Sequence, residues 1–132
     1  MNRKNVLLGW TAAFGAMDAF TGLLLVFAPA LTLRLLGIEP PGPGALVFLS
    51  WIGVFVGAVG LSYGLALINP RRGATVWTFT ALVRTLVGIF VSCRIAAGDL
   101  ALPWAVVAVA DLAVAGFQFA ALRGRWWEEV RR

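Results

Sequence analysis

The sequence predicts an all-α fold, an antiparallel, left-handed bundle of four transmembrane helices in a single domain of 132 residues. Of these residues, 61% are hydrophobic and 13% are charged, and the mean hydropathy is +0.89. Soluble domains are about 45–50% apolar and about 25% charged, and a soluble chain this short would expose much of that apolar surface. The apolar residues form four separate runs, each close to the roughly 20 residues that a helix needs to cross a bilayer.

The four predicted spans are residues 6–28, 45–68, 74–97 and 103–122. The first three end at helix-breaking residues, which are Pro29, Pro70 and Gly98 in turn. The fourth begins at Pro103, a residue suited to the first turn of a helix. The runs lack the strict alternation of a transmembrane barrel, so helices are the expected way to satisfy the backbone in lipid.

The connections predict which spans are neighbours. Residues 69–73 and 98–102 are so short that the spans on either side are expected to pack antiparallel. The first connection is longer, and its apolar part, residues 29–37, predicts a short amphipathic helix on the membrane surface. A rigid turn rich in proline and glycine follows over residues 38–44. This connection is either a solvated elbow or a lid over a cavity.

Lysine and arginine predict the orientation, because they are enriched in cytoplasmic segments. One side of the predicted bundle carries the N-terminus, the 69–73 connection and the C-terminal tail, with Arg3, Lys4, Arg71, Arg72, Arg123, Arg125, Arg131 and Arg132. Both termini are therefore expected to face the cytoplasm, in the inner (plasma) membrane. The basic tail, residues 123–132, places Trp126 and Trp127 among charges, which predicts an anchor at the lipid interface.

Two features of the composition narrow the chemistry. The chain has one cysteine, Cys93, and no histidine. An internal disulfide is therefore excluded, and no metal site or metal-containing cofactor is expected. The net charge of +5 is carried mainly by residues at the ends of apolar runs, where it suits lipid headgroups, and nucleic acid is not an expected partner.

Three ionisable residues lie in the middle of predicted spans: Asp18, Arg84 and Asp111. At a rise of about 1.5 Å per residue they have similar depths in three different helices. A charge at mid-membrane is costly, so these side chains are expected to face inward and pair, with the arginine between the two aspartates. Gln118 shares a helical face with Asp111, which extends the predicted ligand-binding or ion-pair network.

The network has four interpretations. It is a structural ion-pair network, a site for a polar or charged ligand, a part of a proton-coupled transport pathway, or a catalytic site. One aspartate is in excess over Arg84, and that carboxyl group is expected to be neutral or to bind a cation or a proton. No residue is predicted to be catalytic.

The second span carries Gly53, Gly57, Gly60 and Gly64 at intervals of three or four residues. Glycines at this spacing let two helix backbones approach closely. The interpretations are tight packing inside one bundle and a face for self-association into a dimer.

The elbow from Leu36 to Pro40 and the glycine-rich segment 51–64, with Arg84 in span three and Asp111 in span four, resemble those of DoxX-like small bacterial membrane proteins. The resemblance implies four spans and, for some members, association with quinol-oxidising or thiol-oxidising machinery, hence a partner in the membrane. A glutamate that often precedes the glycine-rich segment in that family is replaced here around Ser50, so its role is not carried over.

Three functions fit these observations. The first is an integral membrane binding or accessory protein that holds a small hydrophobic or amphipathic ligand, or a membrane partner, around the Asp–Arg–Asp network. The second is a small proton-coupled transporter that acts as a dimer, with Asp18 as the proton carrier. The third is an intramembrane isomerase with Asp18 or Asp111 as acid or base. The lack of histidine and of a nucleophile–base pair disfavours an enzyme.

Overall fold

The computed structural model describes residues 2–131, of which Arg131 is described for its backbone alone. The helices are α1 (Arg3–Phe27), α2 (Pro29–Leu35), α3 (Pro43–Ile68), α4 (Gly73–Ala96), α5 (Ala105–Arg123) and α6 (Trp126–Arg131). Short 3₁₀ turns, Pro70–Arg72 and Leu102–Trp104, precede α4 and α5. No strand occurs in the described part of the chain, so the all-α prediction is confirmed.

Four of the helices, α1, α3, α4 and α5, are long and apolar enough to span a membrane. Many large apolar side chains point away from the protein; Phe20, Leu23, Phe79 and Phe90 are each more than half exposed. Lipid is the solvent that suits such a surface. The prediction of four helices long and apolar enough to cross a membrane is confirmed, and the chain has the composition of a multi-pass membrane protein.

Glycines bring α1 and α3 into backbone contact. A Cβ atom on Gly60 would lie 2.2 Å from the backbone nitrogen of Ala19, and one on Gly22 would lie 2.4 Å from that of Gly57. Gly53 meets Gly22 and Leu25 in the same way. Three of the four predicted glycines of α3 therefore pack against α1 of the same chain, and at two of them, Gly53 and Gly60, no larger residue fits.

The helices associate as two pairs, α1 with α3 and α4 with α5. Within the second pair, a Cβ atom on Gly88 would lie 2.6 Å from Cγ of Leu112. Backbones approach each other much less between the pairs, where α3 and α4 make the main contact. The surface between the two pairs, called here the interpair interface, is therefore filled by long side chains.

Aromatic side chains fill the end of the bundle near both termini. Trp77 is fully buried and lies 4.9 Å from Trp10 and 5.6 Å from Trp127, measured between ring centroids. Leu7, Tyr63, Ala66, Ala121 and Val130 complete this core.

The tail differs from the sequence prediction at Trp127. This residue is 2% exposed and belongs to the core, so it is not an interfacial anchor. The reason is Gly73, whose missing side chain leaves the space that the indole ring occupies. Arg3 ties the tail to α1, because its Nη1 lies 3.1 Å from Oε1 of Glu129. Arg132, the last residue of the predicted tail, lies outside the described residues.

The close contact of α1 with α3 predicts that an alanine substitution lowers stability at Gly60 and leaves it unchanged at Gly64. Gly60→Ala is expected to destabilise the protein by about 1–3 kcal/mol, because the new methyl group meets backbone atoms that cannot move aside. Gly64→Ala is the matched control, since a Cβ atom there meets nothing within 4 Å. Thermal unfolding in mild detergent measures both; equal melting temperatures for the two variants would contradict this packing.

Candidate functional site

The three interior ionisable residues form one hydrogen-bonded network. Arg84 of α4 donates from Nη2 to Oδ2 of Asp18 in α1, and from Nη1 to Oδ1 of Asp111 in α5 at 2.5 Å. The side chains of Asp18, Arg84 and Asp111 are 10%, 7% and 17% exposed. The predicted pairing is confirmed, and both aspartates bind the same guanidinium group.

Small residues flank each charged residue of the network on its own helix. Asp18 lies on the buried face of α1 between Gly15 and Gly22. Arg84 shares the buried face of α4 with Ala81 and Gly88, and Asp111 lies between the buried residues Ala108 and Ala115. Gly15 and Gly22 let α3 approach α1, and Gly88 lets Leu112 of α5 approach α4, so close packing within each helix pair accompanies the charged network.

Gln118 forms a second polar cluster two helical turns along α5 from Asp111. Its Nε2 donates to the hydroxyl of Tyr63 in α3 at 3.0 Å and to Oγ1 of Thr80 in α4 at 2.8 Å. All three side chains are fully buried. The sequence prediction included Gln118 but missed Tyr63 and Thr80. Helical spacing could have predicted their inward-facing positions in part, because Thr80 lies one turn before Arg84 and Tyr63 lies three residues after Gly60.

A third polar contact also crosses the interpair interface. Nε1 of Trp77 in α4 donates to Oγ1 of Thr11 in α1 at 3.1 Å, and that hydroxyl donates to the Leu7 carbonyl at 2.6 Å. Together with the bonds of Arg84 and Gln118, this contact links the two helix pairs at three levels. Hydrogen bonds of this kind hold helices together in lipid, where apolar contact with a neighbouring helix differs little from contact with acyl chains.

Two buried polar atoms at this interface have no hydrogen-bond partner. They are Nε of Arg84, a donor, and Oε1 of Gln118, an acceptor. Arg84 is 6% exposed and Gln118 is fully buried. An unmet polar group in an apolar interior costs roughly 1–3 kcal/mol, so each of these atoms marks a place where a polar group would bind favourably.

The glycine face does not join the charged network. Gly53, Gly57 and Gly60 contact α1, whereas Gly64 borders a shallow groove of about 200 Å³ between α1 and α3. The C-terminal end of α4 holds a separate ion pair, Arg94 with Asp99 at 2.7 Å. Among residues 2–131 there is no cluster of three or more Cys, Asp or Glu side chains that could hold a metal ion.

Comparisons with family models, with curated proteins and with solved structures find no match to this chain. The resemblance to DoxX-like proteins therefore stays a prediction. Of the residues that carried it, Arg84 and Asp111 are in direct contact.

The network predicts an order of sensitivity to substitution. Arg84→Leu is expected to destabilise the protein by about 3–5 kcal/mol, because it leaves two buried carboxyl groups without their partner. Asp18→Asn and Asp111→Asn keep a hydrogen-bond acceptor and are expected to cost about 1 kcal/mol each. Melting temperatures in detergent test this order, and three similar values would contradict it.

Proposed function

We propose that this protein is an integral membrane binding protein that holds a small amphipathic molecule at the interpair interface. The observation that carries the proposal is the pair of unpartnered buried atoms, Nε of Arg84 and Oε1 of Gln118. The Nε–H group of Arg84 needs a hydrogen-bond acceptor, and Oε1 of Gln118 needs a donor. A ligand with a hydroxyl or amide group near a carbonyl or anionic group supplies both, and its apolar remainder suits the lipid-facing surface around the interface.

The packing supports a route to this site. Glycine contacts make each helix pair compact, while the contact between the pairs depends on side chains. If a bound molecule moved the two helix pairs slightly apart, few backbone contacts would be broken. Asp111 is the most exposed member of the network, which supports entry on the side of α5. The alternative is an accessory role, in which a membrane partner occupies the same interface. Native mass spectrometry distinguishes the two.

The proposal includes an antiparallel bundle. Residues late in α1 contact residues early in α3, as for Gly22 with Gly53, and earlier ones contact later ones, as for Gly15 with Tyr63. In α4 and α5, Gly88 meets Leu112, while Thr80 meets Gln118. Both patterns support opposite directions for neighbouring helices.

The distribution of basic residues supports one orientation of the bundle in the inner (plasma) membrane. The start of α1, the Pro70–Arg72 turn and α6 carry most of the basic residues, which supports a cytoplasmic location for that end of the bundle. On the opposite side, α2 buries Thr32 and Leu33 and exposes Leu31 and Leu35. That exposed apolar face suits a short helix lying at the lipid surface.

Cysteine labelling tests the orientation. In a Cys93→Ser background, Ala101→Cys is expected to react with a membrane-impermeant maleimide added to intact spheroplasts, because its loop lies outside. Arg72→Cys is expected to react only after the membrane is opened. Labelling of Arg72→Cys in intact spheroplasts, with Ala101→Cys protected, would reverse the orientation.

Native mass spectrometry of the protein extracted in mild detergent tests ligand binding. A retained small molecule of defined mass is expected on the wild-type protein. Gln118→Leu removes the unpartnered acceptor and is expected to reduce that occupancy by about tenfold, which corresponds to roughly 1.4 kcal/mol.

Thr78→Ala is the control, because this exposed hydroxyl bonds only to its own helix, at the Ala74 carbonyl, and should leave occupancy unchanged. A co-purifying protein in place of a small molecule would favour the accessory role. A bound molecule that Gln118→Leu does not affect would contradict the proposed site.

A further inference from the structure

The Asp–Arg–Asp network contains two carboxyl groups and one guanidinium group. In the described part of the chain, Asp18, Arg84 and Asp111 are the only charged residues more than about one turn from an end of a membrane-spanning helix. Two ionised carboxylates on one guanidinium group would leave a net charge of minus one in the membrane interior. An uncompensated buried charge is among the most costly features that a protein can have.

Among the described residues, Arg84 is the one cation that forms an ion pair with either aspartate. From α3, the one titratable side chain that faces the interior is Tyr63. Thr80 and Gln118 are the neighbouring polar residues of α4 and α5, and neither ionises. The nearest cation along α4 is Arg94, about 15 Å farther along the helix, and it is paired with Asp99.

We propose that Asp18 and Asp111 together bind one proton at neutral pH, so that one ionised carboxylate faces Arg84 and the network is neutral. Water supplies the proton, and no other bond changes. The geometry leaves room for it, because Arg84 binds one oxygen of each carboxyl group, Oδ2 of Asp18 and Oδ1 of Asp111. The proton belongs to the pair of aspartates, since the two groups share one partner.

A proton suits this site better than a metal cation. Calcium and magnesium take six or more oxygen ligands. The interior offers two carboxyl groups, and Arg84 lies between them and occupies one oxygen of each. A proton needs a single oxygen atom and no coordination shell.

The shared proton makes the interpair interface sensitive to pH, a property separate from ligand binding. Loss of the shared proton places a negative charge between the helix pairs, so stability is expected to fall at alkaline pH. Protonation of both aspartates leaves Arg84 without an ionised partner, so stability is expected to fall in strong acid as well. The free energy of unfolding is therefore expected to be greatest at pH values between strong acid and the alkaline range.

Infrared spectroscopy of the protein in lipid vesicles detects the proton directly, through the carbonyl stretch of a protonated carboxyl group. We expect this band at neutral pH in the wild-type protein, and we expect it to disappear in Asp18→Asn and in Asp111→Asn. Each of these variants balances Arg84 with one ionised aspartate and needs no proton. The asparagine side chain has nearly the same shape as aspartate, so both variants keep the packing.

Asp99→Asn is the matched control, because Asp99 is exposed and lies outside the spans, and its loss should leave the band unchanged. Absence of the band in the wild-type protein at neutral pH would overturn the proposal. So would a band that survives in both single variants, or thermal stability that requires sodium instead of a proton. The experiment uses protein without added ligand, so failure of the ligand proposal leaves its outcome unaffected.

Discussion

The guanidinium group of Arg84 is the interaction on which the rest of the structure depends. It is held by two hydrogen bonds, one to Asp18 in the first helix pair and one to Asp111 in the second. In lipid, apolar side chains gain little by moving from acyl chains to a neighbouring helix, so polar contacts decide which helices stay together. The hydrogen bonds of Gln118 with Tyr63 and of Trp77 with Thr11 also join the two helix pairs, on the side of the bundle nearer the termini.

The helices of this small protein pack in two ways, one within each helix pair and one between the pairs. Glycines at Gly22, Gly53 and Gly60 allow backbone contact inside the first pair, and such contacts tolerate no added atom. The interpair interface is made of long side chains, which tolerate small shifts and include two polar atoms without partners. Because the compact pairs are joined by a polar interface, the three interior ionisable residues lie where packing depends on side chains and little on backbone contact. That arrangement is the physical basis for proposing a ligand-binding site there.

The helices and the charged network were predictable from sequence, whereas several partners were not. The spans follow from hydropathy, and Asp18, Arg84 and Asp111 follow from their shared depth, because a buried charge must find a partner. Tyr63 and Thr80 were missed because hydroxyl groups also satisfy themselves locally, as Thr11 does with Leu7. The burial of Trp127 depends on the space at Gly73, a contact between residues more than 50 positions apart that no local pattern encodes.

The central claim, that Arg84 holds the two helix pairs together, is tested most directly by distances between spin labels in lipid. In a Cys93→Ser background, labels at Phe20 and Leu86 span the two pairs, and labels at Leu86 and Val109 lie within one pair; all three positions are exposed. Arg84→Leu should broaden and lengthen the first distance distribution and leave the second unchanged. If both distributions match those of the wild-type protein, the packing of the pairs does not depend on Arg84.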